Sequence, residues 1–545
     1  MRNRSLPAAV FSVAALAAAS QQPPEPVDIT PISGDSYYMV NQGSGMQAGA
    51  QGSGQPVPES RSFTDMGQRW IFNSVSGGAW QIANAATGLC LEASGRPVER
   101  GQRPDLALPP GPVVQTTCSP TAAQRWTLSA MRNGYYTIAN QVTRLALDAG
   151  ATLDQTPLPR RAPVQSQQWL LRPAYFRGFD NALLEKQEAA RVAYGLPWWN
   201  DNGRPEDVLA MLKSHGVNMV RLRPGSMPPY ANVSQAGCTG NACYGETEAQ
   251  DLDLAKRARN LGLSIELTLL FDGGHSASVP PAWANDTQLS QLQADLYVYV
   301  KSEILAYRQA GIMPDLVAIG NEVDTGFLGA IGSPTGQNFG GFAALQTTAV
   351  QAVKDAAADP SAGLPIPPPL TCIHITPAWD LTQFFTLANQ FSVPYDAICQ
   401  SYYPIYHGPL TEAQAAASNP NHQPVEQDVL NNAAKAIGKP IFIIETGEHY
   451  ANGFQANDPW YSPPTPASQR QFVLDLQTAV QGLPNNLGMG VAWWDPAGVD
   501  IRNASGQLVN GDNLPDAIYV WNGLTLFDNT TSSLLPASDA LGGNQ

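Results

Sequence analysis

Two short apolar runs that each end in a glutamate constrain the fold of this chain most strongly. Residues 317–321 lead to Glu322, and residues 440–444 lead to Glu445. Runs rich in β-branched residues are typical of buried parallel strands. In a (β/α)₈ barrel the C-terminal ends of such strands form the face on which the loops converge. The two glutamates are therefore predicted to meet at the mouth of a barrel.

The rest of the C-terminal part supports this architecture. Eight candidate strands lie at 176–179, 217–223, 263–271, 316–321, 370–375, 396–402, 440–445 and 488–494. Helical patterns separate them at 206–215, 251–261, 287–310, 341–358, 425–437 and 467–481, with Asp286 and Thr287 as N-cap candidates for the third helix. Strands that alternate with helices predict an α/β fold, here a (β/α)₈ TIM barrel over residues 173–545.

The N-terminal segment has the composition of an export signal. Met1-Arg2-Asn3-Arg4 is basic, and small apolar residues follow up to the polar Ser20. This pattern predicts a signal peptide at 1–19, a Pro-rich linker at 20–35 and a secreted protein. The chain has no other apolar run of the roughly 20 residues that a membrane span needs.

A threefold repeat occupies residues 36–172. Gln-x-Trp recurs with its tryptophan at Trp70, Trp126 and Trp169, and similar strands precede each copy. Three copies of a unit that cannot bury its own apolar face predict a closed module. The segment resembles ricin-type β-trefoil lectin modules, which implies an all-β carbohydrate-binding domain. That resemblance makes Glu92 and Asp148 candidates for sugar contacts, with a turn or solvated role as the alternative.

The composition excludes several classes of function. A net charge of −15 with 14% charged residues argues against nucleic acid and anionic membranes as partners. The six cysteines pair by position as Cys90 with Cys118, Cys238 with Cys243 and Cys372 with Cys399, which suggests disulfides in a secreted chain. The sequons at Asn232, Asn285, Asn503 and Asn529 suggest a glycoprotein. Because neither CxxC nor HExxH is present, we predict no metal and no cofactor. We expect a monomer with a neutral polysaccharide as its partner.

Two carboxyl groups that meet at a barrel mouth suit glycosidic bond hydrolysis. The reaction passes through an oxocarbenium-like transition state and is usually run by two carboxyl groups that flank the bond. Retention needs one protonated and one ionised carboxyl group. Asn321 directly precedes Glu322, so its amide can bind a sugar hydroxyl.

Residues 175–535 resemble glycoside hydrolase family 53, the endo-β-1,4-galactanases. The resemblance is carried in order by residues 176–180, 215–223, 319–322, 373–375, 401–404, 444–447, 494–497 and 524–528. It implies that Glu322 is the acid/base and that Glu445 is the nucleophile of a retaining enzyme. It further implies that β-galactan, including pectic side chains, is the substrate.

Further residues are expected to support this site. Arg221 or Arg223, and Tyr402 or Tyr403, are candidate hydrogen-bond donors to Glu445; one tyrosine at most can face the mouth, because adjacent strand residues point to opposite sides. His374 is a candidate positioner or a buried structural residue. Trp494, and less so Trp379, are candidate stacking platforms, whereas Trp493 is expected in the core. Asp180 supports the site, or caps or pairs locally.

The chain departs from the family pattern at three places. Asp272-Gly273-Gly274-His275 stands where a His-Tyr-Ser-Asp type segment is usual, Pro224-Gly225 replaces a common aromatic, and Asp495 replaces a common glutamate. A same-clan retaining hydrolase for another β-linked glycan therefore stays an alternative. A catalytically dead carbohydrate-binding protein is a second alternative, against which Asn321, Glu322 and Glu445 count.

Overall fold

The computed structural model describes residues 31–543 except 51–53, 60–61, 63–64, 96–110, 132–133, 160–161, 182–183, 225–247, 272–275, 335–338, 364, 377–380, 420, 453–457 and 499–522. The predicted signal peptide, most of the linker, Cys238 and Cys243, and Trp379 lie outside the described residues. So does the altered segment 272–275.

Twelve strands form the N-terminal all-β module. They are β1 Ser36–Asn41, β2 Gln47–Gly49, β3 Val57–Glu59, β4 Arg69–Val75, β5 Ala79–Asn84, β6 Cys90–Ala93, β7 Gly111–Thr116, β8 Trp126–Ala130, β9 Tyr136–Asn140, β10 Ala146–Ala149, β11 Leu153–Thr156 and β12 Trp169–Pro173. All pairings among them are antiparallel, and β1 pairs with β12, so the last strand returns to the first.

The three Gln-x-Trp tryptophans hold equivalent positions in this module. Trp70, Trp126 and Trp169 are fully buried in one cluster. Their indole nitrogens donate to the carbonyls of Ala48 at 2.8 Å, Leu91 at 3.1 Å and Leu147 at 3.0 Å. A buried indole N–H needs such a partner, and the same solution recurs in each copy. The threefold repeat and the trefoil prediction are confirmed.

Eight parallel strands close the barrel. They are β13 Phe176–Asp180, β16 Met219–Leu222, β17 Ser264–Leu269, β18 Leu316–Ile319, β19 Leu370–Ile375, β20 Ala397–Tyr402, β21 Ile441–Thr446 and β22 Gly488–Trp493, in this order around the ring. A separate two-stranded sheet joins β14 Asn200–Asp201 to β15 Arg204–Pro205. The predicted barrel is confirmed, with each strand inside or within a residue of its predicted range.

The described helices are α1 Leu184–Tyr194, α2 Val208–Ser214, α3 Glu248–Asn260, α4 Leu289–Gln309, α5 Gly329–Gly332, α6 Phe339–Ala358, α7 Leu381–Gln390, α8 Pro404–His407, α9 Glu412–Ala417, α10 Glu426–Ile437, α11 Pro466–Gln481 and α12 Ala537–Leu541. The predicted cap of α4 is wrong. The helix begins after Gln288, whose backbone N–H donates to Oε1 of Gln291 at 3.0 Å. None of the helices in the described ranges is both long and apolar enough to cross a membrane.

The trefoil closes the N-terminal end of the barrel. Tyr38, Val40 and Leu170 of the trefoil are buried in one apolar cluster with barrel residues that include Met219 and Met489. An ion pair between Asp35 and Arg177 lies at the same junction. The loops at the opposite, C-terminal end of the strands are left to form the functional face.

Two predicted disulfides are confirmed. Cys90 bonds to Cys118 within the trefoil, and Cys372 bonds to Cys399 across the neighbouring barrel strands β19 and β20. The barrel cystine is buried, below His374 and Ser401 on the same two strands.

Candidate active site

The two strand-end glutamates lie at the C-terminal end of the barrel. Glu445 is the fifth residue of β21, and Glu322 lies three residues after β18 with a left-handed backbone, φ 48°. Gly320 makes this turn possible: it has φ 92°, and a Cβ there would lie 2.5 Å from Val323. The backbone N–H of Asn321 donates to Oγ of Ser276 at 2.9 Å, which anchors the turn.

Arg221 joins four parts of the site. Its Nη1 donates to Oε2 of Glu445 at 2.7 Å and to Oδ2 of Asp180 at 2.7 Å. Its Nη2 donates to Oδ1 of Asn321 at 2.8 Å, and its Nε donates to Oγ1 of Thr268 at 3.1 Å. The guanidinium is fully buried and in ionic contact with carboxylates, so the fork geometry of arginine fixes the relative positions of these strands' ends.

Arg223 lies two residues after Arg221, directly after the end of β16, and contacts Asp180. Its Nε is 2.9 Å from Oδ2 of Asp180, which it shares with Arg221. Of the two arginines that the sequence left open, Arg221 is thus the donor to Glu445. Asp180 is the carboxylate that holds both arginines in place.

Glu266 is a buried carboxyl group that sequence reasoning missed. It lies on β17, 3.5 Å from Nε of Arg221, and accepts from Oγ1 of Thr268 at 3.0 Å. Burial raises the pKa of Glu266 to about 8, although Arg221 opposes this rise. Its charge was the available signal, because the other polar residues of the run 263–271 are the uncharged Ser264 and Thr268.

The two catalytic candidates are driven to opposite protonation states. Burial alone would raise the pKa of Glu445, but Arg221 and Arg223 reverse that effect and lower it to about 2. Burial and the nearby charge of Glu445 raise the pKa of Glu322 to about 7. Two carboxyl groups whose environments separate their pKa values are the pattern of an acid and an ionised partner.

Only one of the two candidate tyrosines faces this site. The Tyr403 hydroxyl donates to Oε1 of Glu445 at 3.0 Å. The Tyr402 hydroxyl donates to the carbonyl of Gly408 at 2.9 Å, and its ring packs near Phe472 outside the barrel. Tyr402 therefore points away from the mouth, because successive strand residues face opposite sides.

A serine that the sequence reading did not single out contacts Glu322. The Ser401 hydroxyl donates to Oε1 of Glu322 at 2.7 Å and lies 2.9 Å from Nε2 of His374. His374 is fully buried on β19, and burial together with the charge of Arg221 lowers its pKa to about 3. The imidazole is therefore neutral. The available signal for Ser401 was its place at the end of β20, beside the tyrosine pair.

Trp493, the last residue of β22, and Trp494, which follows it, lie in different surroundings; the stacking role of Trp494 stays a prediction. Trp493 is fully buried in the main core, and its indole donates to the carbonyl of Leu524 at 2.9 Å. Trp494 packs with Tyr403 and Leu524 next to the glutamates. Asp495 stands where the family commonly has a glutamate. It accepts a hydrogen bond from Gln187 at 2.8 Å, and burial raises the pKa of Asp495 to about 7.

The trefoil carboxylates are engaged within their own repeats. Oε2 of Glu92 accepts from Thr116 at 2.8 Å and from Gln124 at 2.9 Å. Asp148 accepts from Thr156 in the equivalent place. These bonds tie neighbouring strands together; a sugar contact by Glu92 or Asp148 stays a prediction.

Comparisons with known proteins agree with both parts of the chain. The family described as Glycosyl hydrolase family 53 matches residues 176–540. The family described as Ricin-type beta-trefoil lectin domain-like matches residues 66–159. The first match covers more than half of the chain and contains every residue of the candidate active site.

Individual relatives are distant but extend over the same region. A "Probable arabinogalactan endo-beta-1,4-galactanase A" from Aspergillus fumigatus is 28% identical over 359 residues, 62% of this chain and 88% of the relative. An "Arabinogalactan endo-beta-1,4-galactanase" from Thermothelomyces thermophilus is 26% identical over 374 residues, 65% of this chain and 98% of the relative.

Solved structures show the same barrel. The family 53 catalytic domain of Ignisphaera aggregans superposes with a TM-score of 0.54 at 21% identity and covers 67% of this chain and 95% of that chain. A structure of fungal β-1,4-galactanases gives a TM-score of 0.52 at 22% identity and covers 68% of this chain and 99% of that chain. At these identities the likeness supports the fold.

Proposed function

Because the chain belongs to glycosyl hydrolase family 53, we propose that it is a secreted, retaining endo-β-1,4-galactanase. In this proposal it cleaves β-1,4-galactosidic bonds in arabinogalactan and in pectic side chains. Glu322 is the acid/base and Glu445 is the nucleophile. The single observation that carries the mechanism is the opposite electrostatic environment of these two carboxyl groups.

The first step uses the ionised Glu445 and the protonated Glu322. The Glu445 carboxylate attacks the anomeric carbon while Glu322 gives its proton to the departing glycosidic oxygen. Arg221 and Tyr403 both donate to Glu445, at 2.7 and 3.0 Å, and so keep it ionised and aimed before the attack. This preorganisation avoids reorienting the carboxylate during the reaction.

The second step returns both groups to their starting states. Once the glycosyl ester has formed, Glu445 no longer carries a negative charge, so the main electrostatic reason for the raised pKa of Glu322 besides burial is removed. Glu322 then ionises readily and takes a proton from the attacking water. The configuration of the sugar is retained after two inversions.

Neighbouring groups are assigned to the sugar. Asn321 is held by Arg221 through its Oδ1, which directs its amide nitrogen away from the guanidinium and toward a sugar hydroxyl. Trp494, which packs beside Tyr403, is proposed to stack on a galactose ring. The trefoil, residues 36–172, is proposed to hold the enzyme near polysaccharide. The protein is proposed to act as a monomer without metal or cofactor.

Product analysis tests this function. Purified protein is incubated with β-1,4-galactan, β-1,3-galactan and a mixed β-glucan, and oligosaccharides are separated by size. We expect internal cleavage of β-1,4-galactan alone, with early products in the β-anomeric form by proton NMR. Cleavage of another glycan would support the same-clan alternative, α-anomeric early products would contradict retention, and binding without cleavage of any β-glycan would support the non-enzymatic alternative.

The nucleophile is tested by chemical rescue. Glu445→Ala removes the attacking oxygen and should reduce turnover of an aryl β-galactoside by at least about 10⁴-fold. Azide can enter the vacated space and should restore part of the rate with an α-galactosyl azide as product. Glu266→Gln, a second buried carboxyl variant, is the control. Rescue that leaves the β-anomer would contradict the role of Glu445.

A further inference from the structure

Ser401 connects His374 to Glu322 in a hydrogen-bond chain of fixed direction. The hydroxyl lies 2.7 Å from Oε1 of Glu322 and 2.9 Å from Nε2 of His374. A hydroxyl carries one hydrogen, which donates to the glutamate. With the serine hydrogen donated to the glutamate, we assign the hydrogen of the other contact to Nε2 of His374, and Ser401 is its acceptor.

The surroundings of His374 stabilise this single tautomer. The side chain is fully buried and its pKa is lowered to about 3, so the ring is neutral and carries one N–H. That hydrogen is on Nε2, while Nδ1 has no hydrogen-bond partner within the described part of the chain. A buried nitrogen without a partner is a cost that a purely structural histidine would avoid.

We propose that His374 and Ser401 are positioning residues that reserve Oε1 of Glu322 as an acceptor, so that Oε2 carries the transferable proton in both steps of the reaction. This inference rests on the proposed acid/base role of Glu322. While His374 donates to Ser401, the serine hydrogen has no second acceptor among the described residues. It stays on Oε1 whether Glu322 is ionised or protonated, because a carbonyl oxygen also accepts.

The proton balance closes without any change at the two positioning residues. In the first step, Oε2 gives its proton to the glycosidic oxygen as the bond to the anomeric carbon breaks. In the second step, Oε2 takes a proton from water as water displaces Glu445. Ser401 and His374 neither gain nor lose a proton. Their hydrogen bond also favours the ionised form of Glu322, which the second step requires.

Other charged groups face the hydrogen-bonded series of His374, Ser401 and Glu322, and these groups remain in every variant. Glu322 experiences Glu445 from β21, Asp324 from its own turn and Arg221 from β16. Tyr403 from the end of β20 is close to both glutamates. Asp324 is held by the backbone N–H and hydroxyl of Thr376.

His374 itself faces Arg221, Arg223 and Glu445. None of these groups is altered by a change at Ser401. The effect of such a change on the titration of Glu322 therefore reports the loss of one hydrogen bond.

The test is the pH dependence of kcat/KM on a galacto-oligosaccharide, a substrate with a poor leaving group. On the basic limb of this profile the rate falls as Glu322 loses its proton. Ser401→Ala should move that limb to higher pH by about 0.5 to 1 unit, because the lost hydrogen bond stabilised the ionised form of Glu322. It should also lower kcat about tenfold, with less effect on an aryl galactoside, whose better leaving group depends less on protonation by Glu322. Ser401→Thr keeps the hydroxyl and should restore the limb.

A double variant tests the direction of the chain. His374→Phe should shift the limb in the same direction as Ser401→Ala. The pair together should shift it no further than Ser401→Ala alone, because the histidine acts through the serine. An additive shift would overturn the proposed order. An unchanged limb in Ser401→Ala, with equal loss of rate on both substrates, would overturn the proposal and leave a structural role.

One variant separates this inference from the function on which it rests. Glu322→Gln should abolish the basic limb on the aryl substrate. A limb that persists in Glu322→Gln would refute the role of Glu322 itself. If the basic limb disappears in Glu322→Gln but does not move in Ser401→Ala, only the positioning role is refuted. Melting temperatures of all variants confirm that each is folded when measured.

Discussion

Nη1 of Arg221 donates to Oε2 of Glu445 at 2.7 Å, and both side chains are buried at the barrel mouth. The contact joins β16 to β21 across the ring. It offsets the cost of burying the carboxylate, which would otherwise take up a proton and lose its nucleophilic character.

Arg221→Lys should therefore reduce activity strongly. A lysine ammonium cannot reproduce the contacts of the guanidinium with Glu445, Asp180, Asn321 and Thr268 at once. We expect a loss of kcat/KM of about 10²-fold and a rise of the acid limb of its pH profile, since Glu445 becomes easier to protonate.

Arg223→Lys is the matched control, because this arginine contacts Asp180 and donates no hydrogen bond to Glu445 among the described contacts. Arg223→Lys should lose less kcat/KM than Arg221→Lys, and it should shift the acid limb of the pH profile less. Steady-state kinetics between pH 3 and 9 measure both effects. Equal losses in the two variants would contradict the special position of Arg221.

The pH profile of the wild-type enzyme follows from the two glutamates. Glu322 must be protonated to act as the acid and has a pKa of about 7, so kcat/KM should fall tenfold per unit above pH 7. Glu445 must be ionised and has a pKa of about 2, so activity should persist well into the acid range. Initial rates on β-1,4-galactan in constant ionic strength buffers check this; a maximum above pH 8 would contradict it.

The junction between trefoil and barrel should contribute to stability. Leu170 is 5% exposed within the cluster that spans both parts. Leu170→Ala should lower the free energy of unfolding by about 2 to 4 kcal/mol and shift the calorimetric transition of the barrel as well as that of the trefoil. Leu158→Ala is the control, since Leu158 is 39% exposed and should change stability by less than about 0.5 kcal/mol.

Independent melting of the two parts would contradict this coupling. In that outcome, Leu170→Ala would shift one transition and leave the second unchanged. The same junction predicts that a barrel without residues 31–173 exposes apolar side chains at its N-terminal end and aggregates.

Glu426 should make stability depend on pH. It is buried and accepts from Nε2 of Gln400 at 2.7 Å, and burial raises its pKa to about 8. Since an unfolded glutamate titrates near ~4.3, the folded state binds more protons between these values, and stability decreases as pH rises from about 4.3 to 8. Glu426→Gln should remove this contribution and be more stable than wild type by about 4 kcal/mol at pH 8.

At pH 4, where the carboxyl is protonated in the folded state and mostly protonated in the unfolded state, Glu426→Gln should differ little from wild type. Asp253→Asn, a change at an exposed position on α3, is the control and should show no such dependence. Chemical denaturation at pH 4, 6 and 8 measures the difference. A constant difference between wild type and Glu426→Gln at all three pH values would contradict the buried titration.

The amino-acid sequence by itself determined the two architectures. The Gln-x-Trp repeat fixes three equivalent buried tryptophans, and the alternation of apolar strands with amphipathic helices fixes the barrel, because both patterns express which faces must be buried. The same patterns place Glu322 and Glu445 at strand ends. The positions of the cysteines in the sequence predict two of the observed disulfides. The exact start of a helix was predicted less well, since the N-cap of α4 is Gln288 and not Asp286 or Thr287.

Only the tertiary structure decided which side chains share the site. The choice of Arg221 over Arg223 and of Tyr403 over Tyr402 depends on which side of a strand faces the mouth after the barrel closes. Ser401 and Glu266 were missed because their roles come from neighbours on other strands. The separation of the pKa values of Glu322 and Glu445 has the same origin, since burial and the charge of Arg221 act through space and leave no mark in the local sequence.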